Sequence, residues 1–447
     1  MNESRELPRR AGGIRRVRPW EKVALVGLVA AVGSVLVFTA VAGGEADAGS
    51  TVSTERAAAV QQLLDSWGRA IRVGDTGALT GLLDPEAEAS FVASEAARAA
   101  NVSQLEFSDW GYELVAGEDH DVDAGLAARL GVSEVWAPTV RLRYAIDSVD
   151  AVPTRKVVSP TFVRRGDTWA LLDGGESTRP ATTWRGPWDY APLVTREVET
   201  GGDRMSMILG HPDNEAMVDR LAEDIDSAVD DVSEVWGPEW SRGALVMVAS
   251  SDAEFTSLVG ADHDGEGIAA VAVSDAPTPG DPVVGGQRIV FSPASTLRLD
   301  DEARRSILRH ELTHVAARAV TVDGSPMWLL EGYSEYVAHR GTGASAREVA
   351  PTLAAQIDAG KAPDMLPSNE NFTQRGDHGS LAYETAWSIN AFAADEFGDE
   401  ELTDLYVALA KGSSRDEDVD RTLEEQLGVG TESFVERWSA WLDEQFA

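Results

Sequence analysis

The sequence predicts an α+β protein built from a transmembrane helix, a small α+β domain, and a larger α+β domain with a mixed sheet and a helical C-terminal part. Three observations predict this fold class. An uncharged apolar run lies near the amino terminus, an amphipathic helix and strand-like runs follow it, and the chain after residue 379 is mostly helical in pattern. A chain of 447 residues is long enough for two or three domains.

Residues 23–43, VALVGLVAAVGSVLVFTAVAG, form the apolar run. As a helix they would be about 30 Å long, which is enough to cross a bilayer. Residues 1–22 contain seven Arg and Lys against three Glu, so the positive-inside rule keeps this basic tail in the cytoplasm. We therefore expect a single-pass cell-membrane protein with an extracytoplasmic body. The alternative is a signal peptide cleaved near Ala46-Asp47-Ala48, which would make the body a secreted protein.

Composition limits the chemistry that this chain can carry out. There is no cysteine, so disulfides and thiolate ligands are excluded and any metal site must use His, Asp or Glu. The formal net charge of -37 opposes binding to the phosphates of nucleic acids. The contents of hydrophobic residues (43%) and charged residues (25%) are typical of a globular protein.

The small α+β domain is predicted at residues 54–175, between a linker at 44–53 and a connector at 176–194. It begins with an amphipathic helix at 54–73. The strand-like runs follow at 136–146, 154–163 and 168–172. A long helix followed by a curved antiparallel sheet resembles the cone-shaped domains of the nuclear transport factor-like family. That family includes enzymes, ligand-binding proteins and scaffolds, so the resemblance implies no particular function.

The larger domain is predicted at residues 195–447. A helix at 212–235 precedes three short apolar strands, and two helices of special interest follow them. Asp300 is expected to cap the first, at 300–319, and Ser325 with Pro326 to begin the second. The strands are predicted at 243–249, 268–273 and 287–291, and the last helices at 381–397, 401–411, 417–426 and 431–445.

The most informative motif, HELTH, lies in the first of these two helices. His310 and His314 are four residues apart, which places both imidazoles on one helix face, and Glu311 lies between them. Two neutral ring nitrogens suit a tetrahedral Zn²⁺, and the glutamate can take a proton from the attacking water. The spacing therefore predicts a zinc site with Glu311 as general base.

The second of these helices, WLLEGYSEYVA, supplies a third ligand. Glu331 lies among apolar residues, where an unpaired carboxylate would be costly and a metal ion would remove that cost. A His/His/Glu site leaves one coordination position open, as hydrolysis requires. Glu335 lies one turn later and is expected to accept the free ring N–H of His310, although a surface acid is the alternative for this residue.

HELTH, WLLEGYSEYVA and the preceding QRIVF together resemble the gluzincin zinc metallopeptidases of the peptidase MA-like group, over roughly residues 195–445. The resemblance implies a zincin-like fold, with His310, His314 and Glu331 binding Zn²⁺ and Glu311 as the base. It also implies that residues 287–291 or 268–273 lie along a cleft and pair with a peptide substrate. Tyr383 is the implied oxyanion donor, with His378 as its rival, and a structural role for both residues is the alternative.

No segment resembles the GxMEN element with which aminopeptidases of this superfamily hold a substrate amine, which weakens that activity. We therefore expect a zinc-dependent peptidase acting on peptides or proteins. The alternative is an exported binding or sensor module whose zinc is mainly structural.

Overall fold

The computed structural model describes residues 48–179, 183–260, 268–278, 281–295, 299–374 and 376–447. The predicted membrane helix at residues 23–43 lies outside these ranges. Within them, no helix has both the length and the apolar character needed to cross a membrane.

The first domain contains four helices and eight antiparallel strands among its described residues. These elements are α1 (Ala48–Arg72), α2 (Thr76–Thr80), α3 (Ala89–Val102), β1 (Phe107–Asp119), β2 (Asp121–Val122), α4 (Leu126–Leu130), β3 (Glu134–Trp136), β4 (Pro138–Ile146), β5 (Thr154–Val158), β6 (Thr161–Arg165), β7 (Thr168–Asp173) and β8 (Thr178–Arg179). Helix α1 includes residues 48–53, which lie in the stretch predicted as a linker.

The strands of this domain form two three-stranded sheets, in the orders β1-β4-β5 and β3-β6-β7, and a short β2-β8 pair. The sequence predicts one curved sheet instead. The division falls at Ala137, the single residue between β3 and β4, because these two strands pair with different neighbours. The resemblance to nuclear transport factor-like domains stays a prediction.

A mixed five-stranded sheet forms the centre of the larger domain. Its strands are β9 (Val194–Thr200), β10 (Arg204–Gly210), β11 (Leu245–Val248), β12 (Ala270–Val273) and β13 (Arg288–Phe291), in the order β12-β13-β11-β10-β9. The β10–β11 and β11–β13 pairs are parallel, while β9 and β12 run antiparallel to their neighbours. Strand β12 is therefore an edge strand, and β13 is an interior one.

Alternate residues of this sheet face two different cores. Ile208, Val246 and Ile289 face the helices of the larger domain. Their neighbours Met207, Leu245 and Val290 join the core of the first domain. This alternation follows from the two-residue period of a strand. The first domain thus packs on one face of the sheet, together with the helix at residues 252–259.

Ten described helices complete the larger domain. Together with the mixed sheet, they confirm the prediction of a mixed sheet and a helical C-terminal part. They are α5 (Glu215–Trp236), α6 (Asp252–Val259), α7 (Asp301–Ala317), α8 (Met327–His339), α9 (Ala346–Val349), α10 (Pro351–Asp358), α11 (Asp377–Phe397), α12 (Asp399–Leu409), α13 (Asp416–Leu427) and α14 (Thr431–Gln445). Asp300 caps α7, as predicted, because its side chain accepts a hydrogen bond from the Ala303 N–H.

The start of α8 differs from the prediction. Ser325 does not cap this helix, because its hydroxyl donates to the carbonyl of Val322 instead. The Met327 N–H donates to Oδ1 of Asn369 at 2.8 Å, and the Asn369 amide donates in turn to the Ser325 carbonyl. Pro326 precedes the first helical residue. The cap is therefore supplied by a residue distant in the sequence.

Candidate metal centre

Helices α7 and α8 pack against each other and bring three potential metal ligands together. His310 and His314 lie one turn apart on α7, and Glu331 lies on α8; all three side chains are buried. Their nearest ligand atoms form one cluster, identified among the described residues as a group able to hold a metal ion.

The distances within this cluster match a tetrahedral zinc site. The Nε2 atoms of His310 and His314 lie 3.1 Å apart, and Oε2 of Glu331 lies 3.4 Å from the first and 3.5 Å from the second. Ligands bound about 2.0–2.1 Å from a tetrahedral Zn²⁺ stand about 3.3–3.4 Å from one another. The three donor atoms are therefore already spaced to hold this ion.

Glu331 gives an independent sign that a cation belongs here. Its side chain is 0% exposed, and neither carboxylate oxygen has a hydrogen-bond partner. Burial alone would raise the pKa of Glu331, but the two imidazoles more than offset that effect, so the pKa lies below its ordinary value. A buried, ionised carboxylate without hydrogen bonds requires a positive partner, and Zn²⁺ fits the donor set.

Glu335 lies beside the first imidazole. Its Oε1 atom is 3.4 Å from Nδ1 of His310, the ring nitrogen that does not face Glu331. Burial would raise the pKa of Glu335, but His310 and His339 lower it well below its usual range. An ionised carboxylate in this place fixes the orientation and tautomer of a histidine ligand.

His339 is a member of this site that the sequence analysis does not single out. Its Nε2 atom lies 3.4 Å from Oε2 of Glu335, so this one carboxylate bridges two imidazoles. The spacing of four residues between Glu335 and His339 is a signal that could have found it, because such residues are neighbours on a helix.

The carboxylate of Glu311 is buried, and its Oε2 atom has no hydrogen-bond partner. Burial raises the pKa of this group, and the neighbouring imidazoles and a backbone hydrogen bond from Ala272 oppose that rise. The backbone bond places Glu311 beside β12. Of the two strands that the family resemblance implies along the cleft, β12 is the one whose outer edge has no strand partner among the described residues.

The two candidates for an oxyanion donor differ in burial. Tyr383 is buried on α11, and burial together with Glu331, Glu335 and Glu311 raises its pKa well above the ordinary value. Its hydroxyl therefore stays protonated and lies within the electrostatic influence of the centre. His378 is exposed in the first turn of the same helix.

Gly332, next to Glu331, allows α8 and α11 to approach closely. A Cβ atom at this position would overlap the amide nitrogen of Asn390 and the backbone carbonyl of Ala386, both on α11. The glycine therefore sets the separation between the helix that carries Glu331 and the helix that carries Tyr383.

Two cavities lie beside the metal centre. The larger, of about 970 Å³, is bordered by His310, Glu311, Glu335 and His339. The smaller, of about 300 Å³, is bordered by His314 and by β12. An extended peptide would find room on both sides of the centre.

Comparison with known proteins adds little beyond this geometry. No protein-family model matches the chain, and no curated protein matches it either. Among solved structures it is similar to an M1 zinc metallopeptidase from Deinococcus radiodurans, with 13% identity, 69% of this chain and 61% of that one covered, and a TM-score of 0.33.

Two further structures are similar to a comparable degree. Aminopeptidase A of Legionella pneumophila, in complex with aspartic acid, is 14% identical, with a TM-score of 0.35. The match covers 74% of this chain and 33% of the aminopeptidase. Yeast LTA4 hydrolase, in complex with bestatin, has 12% identity, 75% and 60% coverage, and a TM-score of 0.30. The chain thus spans less than two thirds of each of the three structures.

Proposed function

We propose that this protein is a zinc metallopeptidase that hydrolyses peptide bonds. The observation that carries the proposal is the convergence of His310, His314 and Glu331 at tetrahedral spacing, with the carboxylate of Glu311 beside them and its Oε2 atom free of hydrogen bonds. Three protein ligands leave one position for water or substrate, which is the arrangement of catalytic rather than structural zinc sites.

Each residue of the centre has a defined task in this reaction. When bound, Zn²⁺ lowers the pKa of water and polarises the scissile carbonyl. Glu311 takes a proton from the attacking water and passes it to the leaving amine. Glu335 holds His310 in its ligating orientation, and the protonated hydroxyl of Tyr383 can donate a hydrogen bond to the developing oxyanion.

Metal analysis and peptide cleavage by the full-length protein in detergent test this function together. We expect one zinc per chain, cleavage of peptides from a mixed library, loss of cleavage with a chelator, and recovery with added Zn²⁺. Zinc without cleavage of any peptide would indicate a structural metal site instead. Protein purified without zinc that also fails to bind it would overturn the proposal.

We also propose that residues 23–43 anchor the protein in the cell membrane, with the body on the extracytoplasmic side. The uncharged run and the basic residues before it support this orientation. The chain lacks cysteine, so single cysteines can be introduced without background labelling. A membrane-impermeant maleimide should label Asp167→Cys in intact cells and Ser4→Cys only after lysis. The reverse pattern would contradict the orientation.

A further inference from the structure

The smaller cavity contains a feature that the proposed reaction does not use. Its wall is formed by the end of β12, the loop that follows α7, and the side chains of Leu330 and Tyr406. Besides His314, its described lining contains only two charged residues, Arg318 and Asp323. A buried cation therefore lies in a cavity that adjoins the metal centre.

The guanidinium of Arg318 is only partly satisfied by the protein. Its Nε donates to Oγ of Ser274 at 2.9 Å, and Nη1 donates to the carbonyl of Thr321 at 3.1 Å. The third nitrogen, Nη2, is buried and has no hydrogen-bond partner. The side chain as a whole is only 5% exposed.

The carboxylate of Asp323 makes only a long, half-solvated contact with this cation. Its Oδ1 atom lies 3.3 Å from Nη1 of Arg318, at the long end of hydrogen-bond distances, and its side chain is 55% exposed. Ion pairs with one solvated member are weak. The position of Arg318 at the C-terminal end of α7 stabilises a positive charge but supplies no acceptor for the free donor.

We propose that Arg318 binds a carboxylate of the substrate in this cavity, and so determines specificity for an acidic group next to the scissile bond. A guanidinium N–H forms a strong, charge-assisted hydrogen bond with a carboxylate oxygen, and Nη2 is the nitrogen of Arg318 that is left without a partner. The carboxylate belongs either to an Asp or Glu side chain or to the C-terminus of the peptide. This inference rests on the proposed peptidase function.

The place of Arg318 in α7 explains why the recognised group is close to the reaction. His314 and Arg318 are four residues apart, so they are neighbours on one helix face. The cavity beside them is lined by Val273, the last residue of β12, and by Ser274, which follows it. A peptide lying along the outer edge of β12 would place a side chain or its terminus in the cavity within about one residue of the cleaved bond.

A peptide library cleaved by the full-length protein tests the inference. We expect Asp, Glu or a terminal carboxylate to be enriched at a single position beside the scissile bond. If the enrichment persists in C-terminally amidated peptides, the recognised carboxylate belongs to a side chain. If amidation abolishes the enrichment, the recognised carboxylate is the C-terminus. In Arg318→Gln, kcat/KM for acidic peptides should fall about 10- to 100-fold while matched neutral peptides change little.

Arg309→Gln is the matched control, because Arg309 lies on the same helix, pairs with Asp231 and does not border the cavity. It should leave the ratio of acidic to neutral cleavage unchanged. A wild type without any preference for acidic peptides would overturn the inference. So would an equal loss of acidic and neutral cleavage in Arg318→Gln, because Arg318 would then serve only to hold Ser274 and the loop in place.

A binding measurement separates this inference from the proposed function. Calorimetry with the zinc-loaded Glu311→Gln variant would use peptides in which one Glu or Gln is moved through each position. We expect the Glu peptide to bind more tightly at one position, and the additional Arg318→Gln change to remove the difference. Equal binding of all Glu and Gln pairs overturns the inference, whereas failure of the wild type to cleave any peptide overturns the proposed function.

Discussion

Arg288 of β13 and Asp150 of the first domain form a buried, two-pronged ion pair. The guanidinium donates to both carboxylate oxygens, at 2.6 and 2.8 Å, and the two side chains are 6% and 4% exposed. Because β13 carries the edge strand β12, this pair connects the first domain to the strand beside Glu311.

Replacing Asp150 by Asn should destabilise the protein strongly. The change keeps the shape of the side chain but leaves a buried guanidinium without its counter-charge, which costs roughly 3–5 kcal/mol. Chemical denaturation of the full-length protein would measure the loss. Asp147→Asn, at an exposed position of the same loop, should shift stability by less than about 0.5 kcal/mol. Equal effects of the two changes would show that the pair adds little.

Glu311 and Glu331 should give opposite patterns when each is changed to Gln. Glu311→Gln removes the proton acceptor, so hydrolysis should fall roughly 10²- to 10⁴-fold while zinc content stays at the wild-type level. Glu331→Gln removes a ligand, so zinc content itself should fall. Zinc analysis beside a cleavage assay distinguishes the two, and full activity in Glu311→Gln would refute the assigned base.

The carboxylate that bridges His310 and His339 should tune metal affinity. Changing Glu335 to Gln removes the charged acceptor at Nδ1 of His310, so zinc affinity should weaken about 10- to 100-fold. Competition against a chelator of known affinity gives the measurement. An unchanged affinity would mean that Glu335 serves only as part of the cavity wall.

Tyr383→Phe should separate transition-state stabilisation from metal binding. Loss of the hydroxyl should lower kcat by about 10²- to 10³-fold, as expected for removal of an oxyanion donor, with zinc content unchanged. Tyr336→Phe is the matched control, because the hydroxyl of Tyr336 is bonded to Asp399. If both variants keep wild-type kcat, the oxyanion donor is another group.

Glu384 should make stability fall as pH rises. Burial raises its pKa to about 7, and its Oε2 atom accepts a hydrogen bond from the Leu353 N–H. Between pH of about 4.5 and 7 the folded protein keeps a proton that the unfolded chain has lost, so deprotonation destabilises the fold by up to roughly 3 kcal/mol. Glu384→Gln keeps an acceptor without the charge. It should therefore gain stability over the wild type at pH 8 but not at pH 4, as measured by denaturation at both pH values.

The ligands could be predicted from the sequence because their arrangement is mostly local. One helical turn brings His310 to His314, and a second short helix needs only to pack alongside to deliver Glu331. The Asn369 cap and the Asp150–Arg288 pair join residues 42 and 138 positions apart, and no local pattern encodes such contacts. The packing of the first domain on one face of the five-stranded sheet could not be predicted either, because the strands of this sheet are apolar on both faces.

The geometry of the metal centre depends on Gly332 as well as on the ligands, because this residue sets the separation of α8 and α11. Local preference favours alanine over glycine inside a helix by about 1 kcal/mol, yet alanine is excluded here because its methyl group would act as a wedge between two packed backbones. Such a wedge would displace the helix that carries the third ligand and dismantle the triad while every donor stayed chemically intact. The absence of one carbon atom is thus as necessary to this centre as the nitrogen and oxygen atoms that face the ion.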